Sequence, residues 1–327
     1  MERLETEIYL RYKQIIESQT AYSLTCHPGL VPGSPFHREN ESVQPRHVHM
    51  ADLLDRYDAF CFDGYGTLYN RGSFVYPGAM EWFKMLRHAG KHLRLVTNAA
   101  SDVDEVLARD ADKRGFDFST EETISSGSLL KDLVAELRGH GHELREVYYI
   151  GRETGKHVLE TCGITAVAMD AEPAEPIVAI SSAKDTPETY ARAVKILQKP
   201  GAILLVLNSD AWAPKIPDEN GVTVRELVSG ALSERLRRDS ACDANGGEGC
   251  VTFYLGKPFP AIWERVKSSL PAGSRVLMIG DTLGTDVYGA KIAGFDSALV
   301  VGRNVPADEL EADETVLGIK PDWYLKS

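Results

Sequence analysis

The sequence predicts an α/β protein in which a doubly wound parallel sheet forms the core and a second α/β unit is inserted into it. From Tyr57 onward, short apolar runs alternate with segments of helical period, which is typical of right-handed βαβ units. The run Ala59–Phe62 is apolar throughout and leads into Asp-Gly, which suits a buried parallel strand that enters a loop. A second series of the same kind begins at Glu146, inside the first.

The first series contains three strand–helix pairs with ordinary helix signals. Pro77 opens a helix that Gly90 ends, and Ser101 is a candidate N-cap for the next one. In chain order the segments are DAFCFDG, PGAMEWFKMLRHAG, HLRLVTN, SDVDEVLARDADKRG, TISSG and SLLKDLVAELRG.

The second series divides the chain into domains. We expect an α/β cap over residues 131–232 and a core over 51–130 and 233–327. Residues 1–50 read as a short amphipathic helix over 3–18 followed by an irregular arm. The later segments are EVYYIG, GKHVLETCGI, EPIVAISS, PETYARAVKILQKPG, AILLVLNSD, VTFYLGKP, AIWERVKSSL, RVLMIGD, DVYGAKIAGF and SALVVG.

Overall charge restricts the classes of partner. The net charge of −12 argues against nucleic acid as the main partner, because phosphate backbones bind basic surfaces. A local cation site still permits a small anionic substrate. No stretch approaches the roughly 18 apolar residues of a membrane span, and the N-terminal segment lacks the apolar core of a secretory signal. The sequence therefore predicts a cytoplasmic protein with no membrane partner.

The five cysteines show no metal-binding spacing. Cys61 lies in an apolar strand and is expected to be an inert buried thiol. Cys242 and Cys250 bracket DANGGEG and could meet across a hairpin. Because nothing in the sequence indicates an oxidising compartment, unpaired thiols are the favoured interpretation.

Four short polar segments each follow an apolar strand, and together they predict one site. The carboxyl ends of adjacent strands in an open α/β sheet face a single crevice, so these segments would converge there. Each alone is usually a turn or a helix cap; the set of four favours a functional site. The segments are Asp63–Leu68 (DGYGTL), Val96–Asn98 (VTN), Gly256–Pro258 (GKP) and Gly280–Asp286 (GDTLGTD).

These residue types suit phosphoryl transfer, which needs an anionic nucleophile, a hard cation and donors that follow the developing charge. Asp63 can attack phosphorus and form an aspartyl-phosphate. Asp281 offers a hard oxygen ligand to Mg²⁺, with Asp286 helping directly or through water. Lys257 can neutralise the repulsion between nucleophile and phosphate.

The remaining members of the four segments are donors for phosphate oxygens. Thr97 and Asn98 carry side-chain donors at the end of the second strand. Gly64 and Gly66 lack side chains, so the backbone N–H groups of their loop can approach the phosphate. We therefore predict Gly64, Thr97, Asn98 and Lys257 as phosphate-binding residues.

At these residues the sequence resembles the haloacid dehalogenase superfamily of aspartate-nucleophile hydrolases. The resemblance covers about Ala59 to Arg303 and is greatest to subfamily IIA, the branch with a large α/β cap between the second and third motifs. That branch includes N-acetylglucosamine-phosphate phosphatase-like, nitrophenyl phosphatase-like and pyridoxal phosphate phosphatase-like proteins. The matching text includes TLYNRG, YPGAMEWFKMLRHAGK, VTNAAS, TISSG, LNSDAWAP, GKPFP and GDTLGTDVYGAKIAGFDSALVVG.

The resemblance implies a Rossmann-like core, Mg²⁺ as cofactor, a small phosphorylated metabolite as substrate, and a cap that sets specificity. It implies that Asp63 is the nucleophile and that the main-chain carbonyl of Tyr65 joins Asp63, Asp281 and Asp286 around the metal. It also implies that the segment 208–214 faces the leaving group. The candidate cap residues there are Asn208, Asp210 and Trp212, where Trp212 either stacks on a substrate ring or belongs to the cap core.

One position departs from the family pattern. Phosphatases of this family normally carry a second aspartate two residues after the nucleophile, which protonates the leaving group and then activates water. Here that residue is Tyr65. General acid–base help is worth roughly 10²–10⁴-fold, and a phenol with a pKa near 10 is a poor base at neutral pH.

Three interpretations of Tyr65 stay open. The first is a phosphatase with impaired or substrate-assisted acid catalysis that favours good leaving groups. The second is a dehalogenase-like hydrolase, in which Asp63 attacks carbon, although a carbon–halogen substitution has no use for the Asp281/Asp286 pair. The third is a non-catalytic protein that binds a phosphorylated ligand. The cap is also a candidate homodimer interface.

Overall fold

The computed structural model describes residues 2–17, 46–219, 223–242 and 250–325. Most of the predicted irregular arm, including Cys26, lies outside the described residues. The predicted N-terminal helix is present as α1. Within the described ranges, no helix is both long and apolar enough to cross a membrane.

The helices of the described residues mostly bury one apolar face and leave the other in solvent, which is the amphipathic pattern that the sequence indicates. In chain order they are α1 (Glu2–Glu17), α2 (Ala79–His88), α3 (Asp104–Asp112), α4 (Leu130–Gly139), α5 (Thr154–Thr161), α6 (Pro187–Leu197), α7 (Ser229–Asp239), α8 (Pro260–Ser268), α9 (Tyr288–Ala293) and α10 (Leu310–Leu317).

The strands are short, and those at the centre of each sheet are fully buried. In chain order they are β1 (Arg46–Val48), β2 (Ala59–Phe62), β3 (His92–Thr97), β4 (Thr123–Ser125), β5 (Glu146–Ile150), β6 (Thr165–Ala166), β7 (Ile177–Ile180), β8 (Ile203–Val206), β9 (Trp212–Pro214), β10 (Arg225–Leu227), β11 (Val251–Tyr254), β12 (Val276–Gly280), β13 (Asp296–Val300) and β14 (Trp323–Leu325).

The core is a parallel sheet in the order β1-β14-β13-β12-β2-β3-β4. The chain winds outward from β2 in one direction through β3 and β4, and in the other through β12, β13 and β14. Successive residues of β2 face opposite sides: Phe60 and Phe62 belong to one apolar cluster, and Ala59 and Cys61 to another. The predicted fold class, a doubly wound α/β core, is confirmed. Its topological switch point lies between β2 and β12, where ligands bind in such sheets.

The inserted unit contains a second parallel sheet in the order β11-β8-β7-β5-β6 and an antiparallel pair, β9–β10. Its extent differs from the predicted boundary. Residue 233 lies inside α7, and β11 pairs in parallel with β8. The second sheet therefore continues to Tyr254. Strand order depends on tertiary pairing, and nothing in the apolar sequence of β11 distinguishes a cap strand from a core strand.

A disulfide joins Cys242 and Cys250, linking the end of α7 to the start of β11. The interpretation of these two residues as unpaired thiols was therefore wrong. Both sulfurs are buried where the helix and the strand meet, so the fold brings them together regardless of compartment. Cys61 is free and buried, as expected.

Candidate active site

The nucleophile candidate and the metal-ligand candidate lie at the ends of adjacent strands. β2 and β12 are parallel, with Phe62 opposite Ile279. The Asp63 N–H donates to the Ile279 carbonyl at 2.9 Å, which extends the pairing by one residue. Because Asp281 follows Gly280 at the end of β12, the two aspartates emerge side by side at the switch point.

A third carboxylate completes a compact acidic cluster. One oxygen each of Asp63, Asp281 and Asp286 lie within 4.8 Å of one another, and all three residues are buried. Asp286 sits in a single π-helical turn, and its Oδ2 accepts the N–H groups of Asp281 and Thr282, both at 3.1 Å. These bonds fix Asp286 toward the ends of the strands.

Asp281 is held by one oxygen and presents the other. Its Oδ1 accepts the hydroxyl of Thr282 at 3.0 Å. Its Oδ2 is buried, and among the described residues it has no hydrogen-bond partner. A buried carboxylate oxygen without a partner is costly unless a cation or a donor occupies the adjacent space. Three carboxylates of this arrangement suit a hard divalent cation, which prefers oxygen ligands.

Lys257 lies between two of these carboxylates. Its Nζ contacts Asp63 Oδ1 at 2.6 Å and Asp286 Oδ1 at 2.7 Å, and donates to the Val96 carbonyl at 2.9 Å. Burial alone lowers the pKa of Lys257, but the carboxylates of Asp286, Asp63 and Asp210 outweigh it and raise that pKa above its ordinary value. Lys257 is therefore a permanent cation in the site.

The carboxylates of Asp63 and Asp281 both have raised pKa values. Burial raises the pKa of Asp63 to about 7, against the lowering influence of Lys257. Burial, with Asp63 and Asp286 nearby, also raises the pKa of Asp281 well above its ordinary value. Lys257 alone thus does not offset the burial of Asp63 and Asp281, and further positive charge would favour their ionised forms.

The Asn98 side chain, which is predicted to bind phosphate, is hydrogen-bonded to other protein groups in this structure. Its Oδ1 accepts the Lys257 N–H at 2.7 Å, and its Nδ2 donates to the Lys257 carbonyl at 3.0 Å and to Asp210 Oδ1 at 2.7 Å. The side chain thus links the backbone of Lys257 to Asp210 of the cap, and its amide donors bond protein acceptors. Thr97 lines the cavity, and its Oγ1 accepts the Ala99 N–H at 3.2 Å.

A cavity of about 430 Å³ opens from the acidic cluster between core and cap. Asp63, Lys257, Thr97, Asp281 and Asp286 line its reactive part, and the predicted cap residues Asn208, Asp210 and Trp212 line it as well. Gly64 and Asn98 do not line it. The fold therefore brings most of the predicted residues to one space large enough for a small metabolite.

Tyr65 lines the same cavity. Its ring packs edge-on against Tyr69, with centroids 5.2 Å apart. Burial raises the pKa of Tyr65 above its ordinary value. The phenol therefore stays protonated at neutral pH and cannot serve as a general base there.

Comparison with known proteins supplies the family. The model of the haloacid dehalogenase-like hydrolases matches residues 60–165, and a related hydrolase model described as HAD-hydrolase-like matches 254–327. The chain belongs to the haloacid dehalogenase-like hydrolases. The two matches carry the Asp63 segment and the Lys257 and Asp281 segments, and they leave helix α1 outside.

Curated relatives of this hydrolase family align over most of the chain. The 4-nitrophenylphosphatase of Schizosaccharomyces pombe is 26% identical over 297 residues, covering 84% of this chain and 93% of the relative. The human glycerol-3-phosphate phosphatase is 26% identical over 302 residues, covering 84% and 90%. The predicted resemblance to the branch that includes nitrophenyl phosphatases is confirmed.

Solved structures of the family share the fold. A possible sugar phosphatase from Cytophaga hutchinsonii superposes with a TM-score of 0.69 at 23% identity, covering 86% of this chain and 98% of that one. The 4-nitrophenylphosphatase of Thermotoga maritima gives a TM-score of 0.63 at 22% identity, covering 84% and 95%.

Two residues that support the site were not predicted from the sequence. Arg303 is buried and donates to the carbonyls of Gly66 and Thr67 at 3.0 and 2.7 Å, which holds the loop after the nucleophile. Asn304 lines the cavity and donates to the Thr282 hydroxyl at 2.6 Å. The residues Arg303 and Asn304 follow strand β13, so the rule that singled out the other strand ends could have found them.

Gly66 shows why that loop needs a glycine. Its φ is +98°, a conformation that side chains rarely adopt. A Cβ at this position would overlap Asp281 Oδ2. The close approach of the loop to the metal-ligand candidate therefore depends on the absent side chain.

Proposed function

We propose that this chain is a Mg²⁺-dependent phosphatase that hydrolyses a small phosphorylated metabolite through an aspartyl-phosphate on Asp63. The observation that carries the proposal is the direct contact of Lys257 Nζ with Asp63 in a buried cluster of three carboxylates. Curated relatives with phosphatase names support the reaction class.

The proposed metal ligands are Asp63, Asp281, Asp286 and the main-chain carbonyl of Tyr65. The Oδ2 of Asp281, which has no hydrogen-bond partner among the described residues, fits this role because it is a hard oxygen ligand in a buried acidic site. When bound, Mg²⁺ neutralises phosphate oxygens and holds the neighbouring carboxylates ionised.

In the first step, an oxygen of Asp63 forms a bond to phosphorus while the ester P–O bond breaks. The leaving oxygen departs with the bonding electron pair and takes up a proton from solvent water. Lys257 favours the ionised form of Asp63 and compensates the negative charge of the incoming phosphate. Thr97, at the cavity wall, offers its hydroxyl to a phosphate oxygen.

In the second step, water attacks the phosphorus of the aspartyl-phosphate, releases phosphate and regenerates the Asp63 carboxylate. The proton of that water needs an acceptor, and the neutral phenol of Tyr65 does not provide one. We therefore expect this second step to limit turnover. Substrates with good leaving groups then react quickly in the first step, and the phosphoenzyme accumulates before the second step.

Hydrolysis of p-nitrophenyl phosphate tests the proposal. We expect activity that requires Mg²⁺, is abolished by EDTA and is lost in Asp63→Asn. Acid quenching should trap a phosphoenzyme in the wild type and none in Asp63→Asn. Chloride release from a 2-haloacid without metal would instead favour attack on carbon. Binding of phosphate esters without turnover by any variant would favour the non-catalytic interpretation.

A further inference from the structure

Two arginines of the cavity carry charge that the proposed reaction does not use. Arg114 follows α3 in the core, and Arg152 follows β5 in the cap. Both arginines line the same cavity as Tyr65, the position where the family's acid–base residue belongs. Core and cap therefore each contribute a cation to this cavity.

Neither arginine forms a salt bridge within the described ranges of the chain. Arg114 donates from Nη1 to the Asp110 carbonyl, its guanidinium lies 4.8 Å from the Tyr69 ring centroid, and its buried Nε–H has no partner there. Burial raises the pKa of the cavity carboxylate Asp102, and the positive charge of Arg152 opposes that effect without forming a salt bridge with it. A third cavity arginine, Arg71, differs, because it pairs with Glu226.

Two guanidinium groups therefore line one cavity without a salt bridge among the described residues. The occupant group that fits them best is an anion, because arginine pairs with carboxylate and phosphate oxygens through charge-assisted hydrogen bonds.

We propose that Arg114 and Arg152 form a subsite for a second anionic group, so that the substrate is a phosphate monoester whose alcohol part carries a carboxylate or another phosphate. This inference rests on the proposed function, because the first phosphate occupies the Asp63 site. The cavity of about 430 Å³ admits a compact dianionic metabolite of this kind.

A matched pair of esters tests the subsite. 3-Phosphoglycerate and glycerol 3-phosphate differ only in a carboxylate against a hydroxymethyl group. We expect kcat/KM to favour 3-phosphoglycerate by about tenfold or more, since a hydrogen bond to a charged group is worth at least that factor. Fructose 1,6-bisphosphate against fructose 6-phosphate distinguishes a second phosphate from a carboxylate as the preferred anion.

Charge removal should abolish the preference. In the double variant Arg114→Gln/Arg152→Gln the ratio should fall to about unity. The control Arg109→Gln, which changes an exposed arginine of helix α3, should leave the ratio unchanged. Equal kcat/KM for both members of both pairs in the wild type, or a preference retained by the double variant, would overturn the proposal. If no ester turns over, the proposed function fails; calorimetry of the same esters on Asp63→Asn then decides the subsite by itself.

A separate observation concerns helix α1, which lies outside both family matches. The Tyr12 hydroxyl donates to the Ser209 carbonyl at 3.1 Å, and the Tyr9 hydroxyl accepts the Ala211 N–H at 3.4 Å. These bonds hold the segment 208–214, called here the cap loop, on either side of Asp210. The centroids of the Tyr12 and Phe259 rings lie 5.1 Å apart, and Phe259 follows shortly after Lys257 in the chain.

The same helix also contacts the core. The Tyr9 ring lies against Gly284 so closely that a Cβ there would overlap it, and Gly284 precedes Asp286 in the π-helical turn. Lys13 donates to the Leu317 carbonyl at 2.9 Å, whereas Arg11 pairs with Glu234 of cap helix α7 at 3.3 Å. From these contacts we infer that α1 is a clasp that positions the cap loop and the metal-ligand turn relative to each other, with Tyr12 as a positioning residue.

Two tyrosine-to-phenylalanine variants separate positioning from stability. Tyr12→Phe and Tyr148→Phe each remove one hydroxyl that donates to a backbone carbonyl, but Tyr148 bonds Met169, away from the cavity. We expect similar small decreases in melting temperature. Only Tyr12→Phe should raise KM for glycerol 3-phosphate, by about three- to tenfold, with a smaller change in kcat. Equal effects of both variants on KM would refute a positioning role.

Discussion

Tyr65→Asp examines the chemistry where the chain departs from its family. The new carboxyl would face the cavity that Tyr65 lines, where it can give a proton to the leaving group and take one from water. General acid–base help is worth about 10²–10⁴-fold, or roughly 3–5 kcal/mol of activation free energy. We expect kcat for p-nitrophenyl phosphate to rise within that range, because the second step limits the wild type.

The substitution also removes packing, which requires a matched control. The edge-on contact of Tyr65 with Tyr69 at 5.2 Å is lost, at a cost of about 0.5–1.5 kcal/mol for the aromatic pair beyond its buried area. Tyr65→Asn loses the same contact and has nearly the same shape as the aspartate, but it cannot transfer a proton at neutral pH.

Stopped-flow release of p-nitrophenol is the assay. The wild type should show a burst of one equivalent followed by slow turnover, since the phosphoenzyme accumulates. Tyr65→Asp should show no burst and a faster steady state, and Tyr65→Asn should keep the burst. An aspartate variant no faster than the asparagine variant would refute the assignment of position 65 as the missing acid–base group.

Three other substitutions test the supports of the site. Lys257→Gln should lose activity and lower the free energy of unfolding by about 3–5 kcal/mol in metal-free buffer, because it leaves Asp63 and Asp286 without their buried cation; urea titration measures the loss. Asn98→Ala should lower the free energy of unfolding by about 1–3 kcal/mol, since it strands the Lys257 N–H and carbonyl; a pure phosphate-binding role would instead raise KM with little change in stability. Cys242→Ser should lower the free energy of unfolding by about 2–3 kcal/mol, the expected effect of opening a short covalent loop, and the wild type under reductant should match it.

The site was largely predictable because it lies at strand ends. The carboxyl ends of parallel strands lie at one edge of the sheet. The local sequence alone was therefore enough to place Asp63, Lys257 and Asp281 together. The side chains of Thr97 and Asn98 share one strand end, but which of them faces the cavity depends on the neighbouring loop. The Asn98 side chain is hydrogen-bonded to the backbone N–H and carbonyl of Lys257, and no local sequence pattern predicts such a pairing.

Other features depended on contacts between distant parts of the chain. β11 joins the cap sheet through β8, and the cysteines meet because α7 ends beside β11. The periodicity of α1 indicates an apolar face without indicating its target. Long-range packing of this kind is set by the whole fold, whereas strand ends and turns are set by neighbouring residues.

Tyr65 and the two cavity arginines are best understood together. Arg114 and Arg152 line the same cavity as Tyr65. We expect a carboxylate at position 65 to compete with a bound anion for their positive charge, whereas the neutral phenol does not compete. It follows that Tyr65→Asp should increase turnover of p-nitrophenyl phosphate and at the same time reduce the preference for 3-phosphoglycerate over glycerol 3-phosphate. A variant that gains rate on both esters equally would show that the tyrosine and the arginines act independently.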